Sequence, residues 1–242
     1  MNGVIDLGNT FGKLALFEGL ELSDFAKGKV KTLIKTLNKV NPAKIMICSV
    51  TKSVEELEVL FAEFPSKMIL TKESLIPISN DYGTPHTLGY DRIASAVGAF
   101  YKFPNKNSLI LDLGTAIKYD FIDNEGHFKG GIISPGMKMR FKALHTFTKK
   151  LPLIEKEGIP DLIGNSTKTC IQSGVINGIA AELNGIIARY KAKGDLKIIL
   201  SGGDAEFFES QINYPTFAAP NLALEGLNRI LIHNVENNNF TK

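Results

Sequence analysis

The segment Val4-Ile5-Asp6-Leu7-Gly8-Asn9-Thr10 returns far down the chain, in altered form, as Ile110-Leu111-Asp112-Leu113-Gly114-Thr115. Each copy is an apolar run, then an acid, a glycine turn, a hydroxyl residue and a further strand-like stretch. Repetition at this distance predicts a fold built twice. The chain has 242 residues, room for one large unit or two modest ones.

The bulk composition narrows the function classes. A hydrophobic share of 44%, a charged share of 22% and a net charge of +3 are those of an ordinary globular protein. The lysines are scattered, and the groups Lys27-Lys29-Lys31 and Lys149-Lys150 read as solvated faces rather than a nucleic-acid footprint. No apolar run approaches a membrane span. The chain opens directly on a strand, Gly3 to Leu7, so no signal peptide is expected. Cys48 and Cys170 form neither a disulfide framework nor a metal motif, and are expected to be reduced thiols in a cytoplasmic protein. His86, His127, His145 and His233 lack metal-ligand spacing.

The first copy of the repeat predicts strands over 3–7 and 12–18, joined by a tight turn. Residues 43–50 are a nearly unbroken apolar run, as in a strand buried on both faces. Ser53 and Glu56 form a capping box for a helix to about Phe64. A short strand follows at 67–70. Residues 75–90 are a long loop, a place where function concentrates. Asp91 is expected to open a helix to about Tyr101 as its N-cap. Around Pro104 the pattern restarts, which divides the chain into 1–104 and 105–242. Strands are expected at 109–113, 116–122 and 128–133, and a helix at 136–148. Ser166 caps a long helix, and a strand at 196–200 runs into Ser201-Gly202-Gly203. Gly174, Gly178 and Gly185 within that helix each cost roughly 1 kcal/mol, which points to close packing against another element.

The chemistry follows from the loops. A glycine lets backbone N–H groups approach phosphate oxygens, and an aspartate offers a hard oxygen to a cation or its bound water. Two such loops facing each other would grip a nucleoside triphosphate, so the residues point to an ATP-using enzyme of kinase type. Lys13 can reach a β- or γ-phosphate as a point charge. Asp112 ends an apolar strand, where an acid is costly unless it binds something. Asp120 reads as a strand-end turn residue. Gly89-Tyr90-Asp91-Arg92 places a carboxylate and a guanidinium at a loop–helix junction, able to take a hydroxyl proton and to bind a carboxylate. Gly130 to Gly136 and Gly202-Gly203 allow close approach of a ligand or another backbone.

Taken in chain order, Asp6–Lys13, Gly89–Arg92, Asp112–Ala116, Gly130–Gly136, Gly164–Thr167 and Gly202-Gly203 resemble the type III pantothenate kinases. The resemblance implies the duplicated α/β fold of actin, hexokinase and acetate kinase, two similar halves with a nucleotide cleft between them. It implies phosphorylation of pantothenate by ATP at the start of coenzyme A synthesis, with a divalent cation such as Mg2+, a monovalent cation such as K+, and a homodimer. By the same resemblance, Asp91 is the general base. Asp6, Leu7, Gly8, Asn9, Thr10, Phe11, Gly12 and Lys13, with Thr115, hold the nucleotide. Tyr82, Gly89, Tyr90, Arg92 and Thr167, the last across the dimer interface, join Asp91 in contacting pantothenate, and Asp112 is the potassium ligand. One position departs from the family pattern, because Ala116-Ile117 is followed by Lys118 where threonine is usual. A Lys118 that points into the cleft would take over part of the monovalent cation's role; one that leans to the solvent face, as strand alternation permits and as is expected here, would leave the potassium site intact. Two other readings remain: a kinase of another small hydroxy acid on this fold, and a non-catalytic ATP-binding regulatory protein.

Overall fold

In the computed structural model, which describes residues 1–8, 11–238 and 240, β1 (Asn2–Leu7) and β2 (Gly12–Glu18) form the first hairpin. They pair antiparallel, with Asp6 opposite Lys13 and Leu7 opposite Gly12. β3 (Glu21–Gly28) continues antiparallel on β2. On the other side of β1, β4 (Lys44–Ser49) and β5 (Lys67–Ile69) run parallel, giving the order β3-β2-β1-β4-β5.

Alternation along β1 sends successive side chains to opposite faces. Ile5 and Leu7, with Leu14, Leu16, Ile45 and Ile47, pack against Leu33 and Leu37 of α1 (Val30–Val40) and Leu57 of α2 (Val54–Leu60). Val4, with Ala15, Phe17, Met46 and Cys48, packs against Ala94 and Val97 of α3 (Tyr90–Lys102). α2 has its capping box, with Ser53 Oγ accepting from Glu56 N and Glu56 accepting from Ser53 N. It ends at Leu60 rather than Phe64, where the chain turns to bury the Phe61 and Phe64 rings together, 6.1 Å apart. The loop before α3 contains a two-residue strand, β6 (Ser79–Asn80).

The second hairpin is β7 (Ser108–Leu113) and β8 (Ala116–Ile122), followed by β9 (His127–Pro135). β10 (Lys197–Ser201) lies parallel to β7, and β11 (Phe217–Ala218) is parallel to β10. Read from β9, the order is β9-β8-β7-β10-β11. It repeats that of β3-β2-β1-β4-β5, so the duplication seen in two short motifs extends to sheet topology. α4 (Met137–Phe147) and α5 (Thr167–Lys191) cover one face through Phe141, Ile171, Val175, Ile179 and Leu183. α5 starts where expected, with Ser166 Oγ accepting from Thr169 N and Thr169 Oγ1 accepting from Ser166 N. After β10 comes the short α6 (Ala205–Glu209), and the chain closes with α7 (Leu222–Glu236).

Two units result. One comprises Met1–Asn105, Ile122–Lys129 and Asn221–Lys242, and the other Lys106–Phe121 and Gly130–Pro220. The tip of the β8–β9 hairpin and the C-terminal helix count with the first unit. In the first unit α7 lies on α3 so closely that a Cβ on Gly226 would strike the Ala94 carbonyl, and one on Gly98 the Leu222 carbonyl. The glycines of α5 have the opposite surroundings, because a Cβ on Gly174, Gly178 or Gly185 would meet nothing within 4 Å. Among the described residues, the close packing expected of them is not made.

Candidate active site

In the first unit the charged residues converge at one end of the sheet because of register. Asp6 stands opposite Lys13 on one side and Cys48 on the other, and Lys13 stands opposite Lys27. Directly opposed residues share a face, so Lys27, Lys13, Asp6 and Cys48 lie in one row on the α3 side. Lys27 was read as part of a solvated charge group. In the ladder it is a second lysine beside Lys13, its Nζ 5.8 Å from the centre of the Phe11 ring. Leu7 puts its side chain into the core, and its carbonyl accepts from Val50 N, 3.3 Å. Gly12 is buried, with a Cβ there 2.8 Å from carbons of Leu7 and Leu33. Asn9 and Thr10 lie outside the described residues.

α3 brings Asp91 to the same place. Its N-cap is Gly89, with Tyr90 the first helical residue, so Asp91 lies in the first turn and is not the N-cap. Gly89 makes room for the carboxylate, because a Cβ there would lie 2.6 Å from Asp91 Oδ1. Cys48 reports on both acids. Burial raises its thiol pKa first, then the charge of Asp6, then that of Asp91. Two carboxylates from distant positions thus bear on one buried thiol at the end of β4.

Arg92, beside Asp91, is only 6% exposed. Its guanidinium lies 5.3 Å from the centre of the Tyr82 ring and 5.7 Å from that of Phe128. The rings are 6.2 Å apart and tilted by 45°, so the guanidinium and the two rings form a three-membered cluster with the cation against both. Phe128 has no counterpart among the sequence expectations, because only the tertiary structure brings it to Tyr82. The clamp is tied down. Tyr82 N donates to Asn80 Oδ1, and Asp81 pairs with Lys129 at 2.7 Å and with His127 at 3.3 Å. These bonds, that to Lys129 first, lower the Asp81 pKa. β6 pairs in parallel with His127 and Phe128. Tyr90 is half-buried, its pKa raised first by burial and then by Glu73. It lines a cavity of about 440 Å³ with Asn80, His86 and Thr87, within the size range of small-molecule sites.

In the second unit three glycine segments meet. A Cβ on Gly136 would strike the carbonyls of Gly114 and Thr115, and Gly136 N donates to Thr115 O at 3.1 Å. Gly202, at φ +92°, would place a Cβ 2.6 Å from Asp112 Oδ1 and from the Leu113 backbone. Asp204 N donates to Leu113 O at 2.9 Å. Thr115 is exposed at the turn they enclose. Asp204 is pushed up by burial, against the pull of Lys156 and Lys138.

Two expectations in this unit change. Lys118 does not lean into solvent, because its Nζ lies 2.7 Å from Asp112 Oδ2. Asp120 is no strand-end residue, being 2% exposed and inside β8. Thr167 is exposed at the first position of α5. No cluster of three or more His, Cys, Asp or Glu side chains able to hold a metal occurs among the described residues. Nor, among them, is any helix long and apolar enough to cross a membrane.

A model of the type III pantothenate kinase family matches residues 4–189. The chain belongs to that family. A type III pantothenate kinase of Cytophaga hutchinsonii is 43% identical over 97% of this chain and 100% of its own length. One of Christiangramia forsetii is 45% identical over 97% and 99%. Among solved structures, a candidate Baf family transcriptional activator from Campylobacter jejuni superposes with a TM-score of 0.63 at 20% identity, covering 97% of this chain and 99% of that one. A candidate N-acetylmannosamine kinase from Listeria monocytogenes gives 0.51 at 13%, covering 97% and 99%. At such identities the likeness concerns the fold, the duplicated α/β architecture of the actin, hexokinase and acetate kinase group.

Proposed function

We propose that this type III pantothenate kinase transfers the γ-phosphoryl group of ATP to the primary hydroxyl of pantothenate, with Asp91 as the general base. The observation that carries the assignment of roles is the convergence of Asp6, Lys13 and Asp91 at one end of the first sheet, beside the clamped Arg92. Asp91 accepts the hydroxyl proton, the oxygen attacks the γ-phosphorus in line, and the bond to the β-phosphate oxygen breaks to release ADP. Catalysis of this kind rests on positioning and on stabilising spread negative charge. Lys13 supplies a fixed positive charge at the phosphates. Gly8 and the Gly114-Thr115 turn supply backbone donors, with Thr115 adding its hydroxyl. The two rings beside Arg92 hold it at this end of α3, and its planar fork suits the carboxylate of pantothenate. Tyr82, Gly89 and Tyr90 shape the same entrance.

A kinase of this family uses a divalent cation with ATP. Mg2+ is held largely by phosphates and waters with one or two carboxylates. The residues fit, since Asp6 offers one carboxylate whose negative charge is felt at Cys48. The ion would neutralise charge on the phosphates and polarise the γ-phosphorus. We also assign the enzyme to the cytoplasm and to a homodimer. Gly174, Gly178, Ala181, Gly185 and Ala188 form an exposed strip along α5, at spacings that stay on one helix face. Small residues let a second helix approach closely, and Thr167 at the start of α5 would then face the partner's substrate.

Release of ADP on adding pantothenate to enzyme, ATP and Mg2+, run beside a panel of other small hydroxy acids, tests the substrate. Turnover with another acid and none with pantothenate would replace the assignment. Binding of ATP without turnover on any of them would favour a regulatory role.

A further inference from the structure

The ion pair of Lys118 with Asp112 answers a question that the family pattern raises. The resemblance places a monovalent cation on Asp112. In this chain that carboxylate is already enclosed. Lys118 Nζ lies 2.7 Å from Oδ2, and the pair is sheltered, with side chains 18% and 28% exposed. Against Oδ1 lies the backbone of Gly202, so close that a Cβ there would fall 2.6 Å from the oxygen. Alternation along β8 puts Lys118 on the same face as Asp120, which is 2% exposed. The ammonium that pairs with Asp112 therefore lies on the strand face that also carries Asp120. A potassium ion needs a shell of several oxygens, and a bound ammonium group takes both the space and the charge that such an ion would bring. The residues at Asp112 do not fit a free monovalent cation.

We infer that Lys118 is a built-in cation: its ammonium holds Asp112 and the second phosphate loop in place, so this enzyme works without potassium. The inference rests on the pantothenate kinase reading for its activity assay, and a second measurement frees it from that dependence. Lys118 acts through Asp112 and the loop, which makes it a positioning residue.

The test compares initial rates at matched ionic strength in potassium, sodium and tetramethylammonium chloride, with ATP, Mg2+ and pantothenate. Wild-type rates should agree within about twofold in all three. Lys118→Thr should lose at least about tenfold in tetramethylammonium and recover much of it in potassium. Lys118→Arg, which keeps the charge, should stay indifferent to the salt. A wild-type enzyme that loses tenfold without potassium overturns the inference. So does a Lys118→Thr enzyme as active as wild type in every salt. The second measurement is the melting temperature in the same salts, with and without a non-hydrolysable ATP analogue. Potassium should raise the melting temperature of Lys118→Thr and leave that of wild type unchanged. The reverse pattern, or no difference between the two proteins, overturns the inference even for a chain that does not turn over pantothenate. Absence of turnover by wild type in every salt, with this melting pattern intact, would sink the substrate assignment alone.

Discussion

Replacing Gly89 by alanine should damage catalysis while leaving the fold almost untouched. The added Cβ would lie 2.6 Å from Asp91 Oδ1, and the next nearest atom, Asp91 Cγ, is 3.8 Å away. The clash is thus confined to the end of one side chain. The backbone at residue 89, φ −65° and ψ 133°, is open to any residue. Alanine in such a conformation stabilises by about 0.4–1 kcal/mol through the unfolded chain. As an N-cap it is worse than glycine by roughly 0.5–1 kcal/mol. The two nearly cancel, so the melting temperature should move by no more than about 3 °C. The carboxylate must swing away by around 1 Å to reach ordinary contact. Misplacement on that scale costs on the order of 100-fold in rate. Coupled ADP-release kinetics and a thermal melt on the same preparation read both quantities. A near-normal kcat at an unchanged melting temperature would show that the seat of Asp91 does not matter. A collapse of the melt would show that the added carbon strikes the fold rather than the carboxylate.

Asp91→Asn should keep α3 intact, since Gly89 and not Asp91 is the N-cap, and lower kcat by about 10²- to 10⁴-fold; near-normal turnover would remove Asp91 as the base. Lys13→Ala should raise KM for ATP and lower kcat together, because a charge aimed at phosphate acts in ground and transition states alike; unchanged kinetics would return it to the surface. Arg92→Lys keeps the charge and loses the planar fork and much of the aromatic stacking, so KM for pantothenate should rise far more than KM for ATP. The Cys48 thiol is held above its ordinary value of 9.0, so the folded state keeps its proton where the unfolded chain gives it up. Stability should be full below pH 9 and fall as pH climbs beyond it; Cys48→Ala should flatten that alkaline limb in denaturant melts taken across pH 8 to 10, and an identical limb in both proteins would contradict the shift.

Much of the fold was legible because the repeat is local at each copy. An apolar strand, an acid and a glycine turn announce a hairpin without help from distant residues, and the sheets around both hairpins follow the same strand order. The parts that escaped depend on tertiary context. β3 is an edge strand whose residues are mostly exposed, so no alternation of apolar and polar side chains marks it. The exposed Lys27 looked like any surface lysine until register put it beside Lys13. Asp91 was recognised as chemically special but given the wrong place in its helix, because Gly89 leaves no polar cap to read. The clamp on Arg92 joins Tyr82 to Phe128, and nothing in either neighbourhood signals the other. Lys118 was seen as a departure, yet its direction depended on Asp112 lying within reach of the neighbouring strand.

The arrangement of α7 carries a consequence for biosynthesis. The helix that bears Asp91 is made early, yet the surface it rests on, around Leu222 and Gly226, is translated after the whole of the second unit. α7 also supplies Asn234, whose side chain bonds both N and O of Leu75, and Asn228, which bonds Gly19 O. A nascent chain halted before residue 221 would carry every residue assigned here to chemistry and still lack the buttress beneath α3. Ribosomes stalled there should display a folded second unit beside a first unit that remains open to protease, with activity appearing only as the final helix emerges.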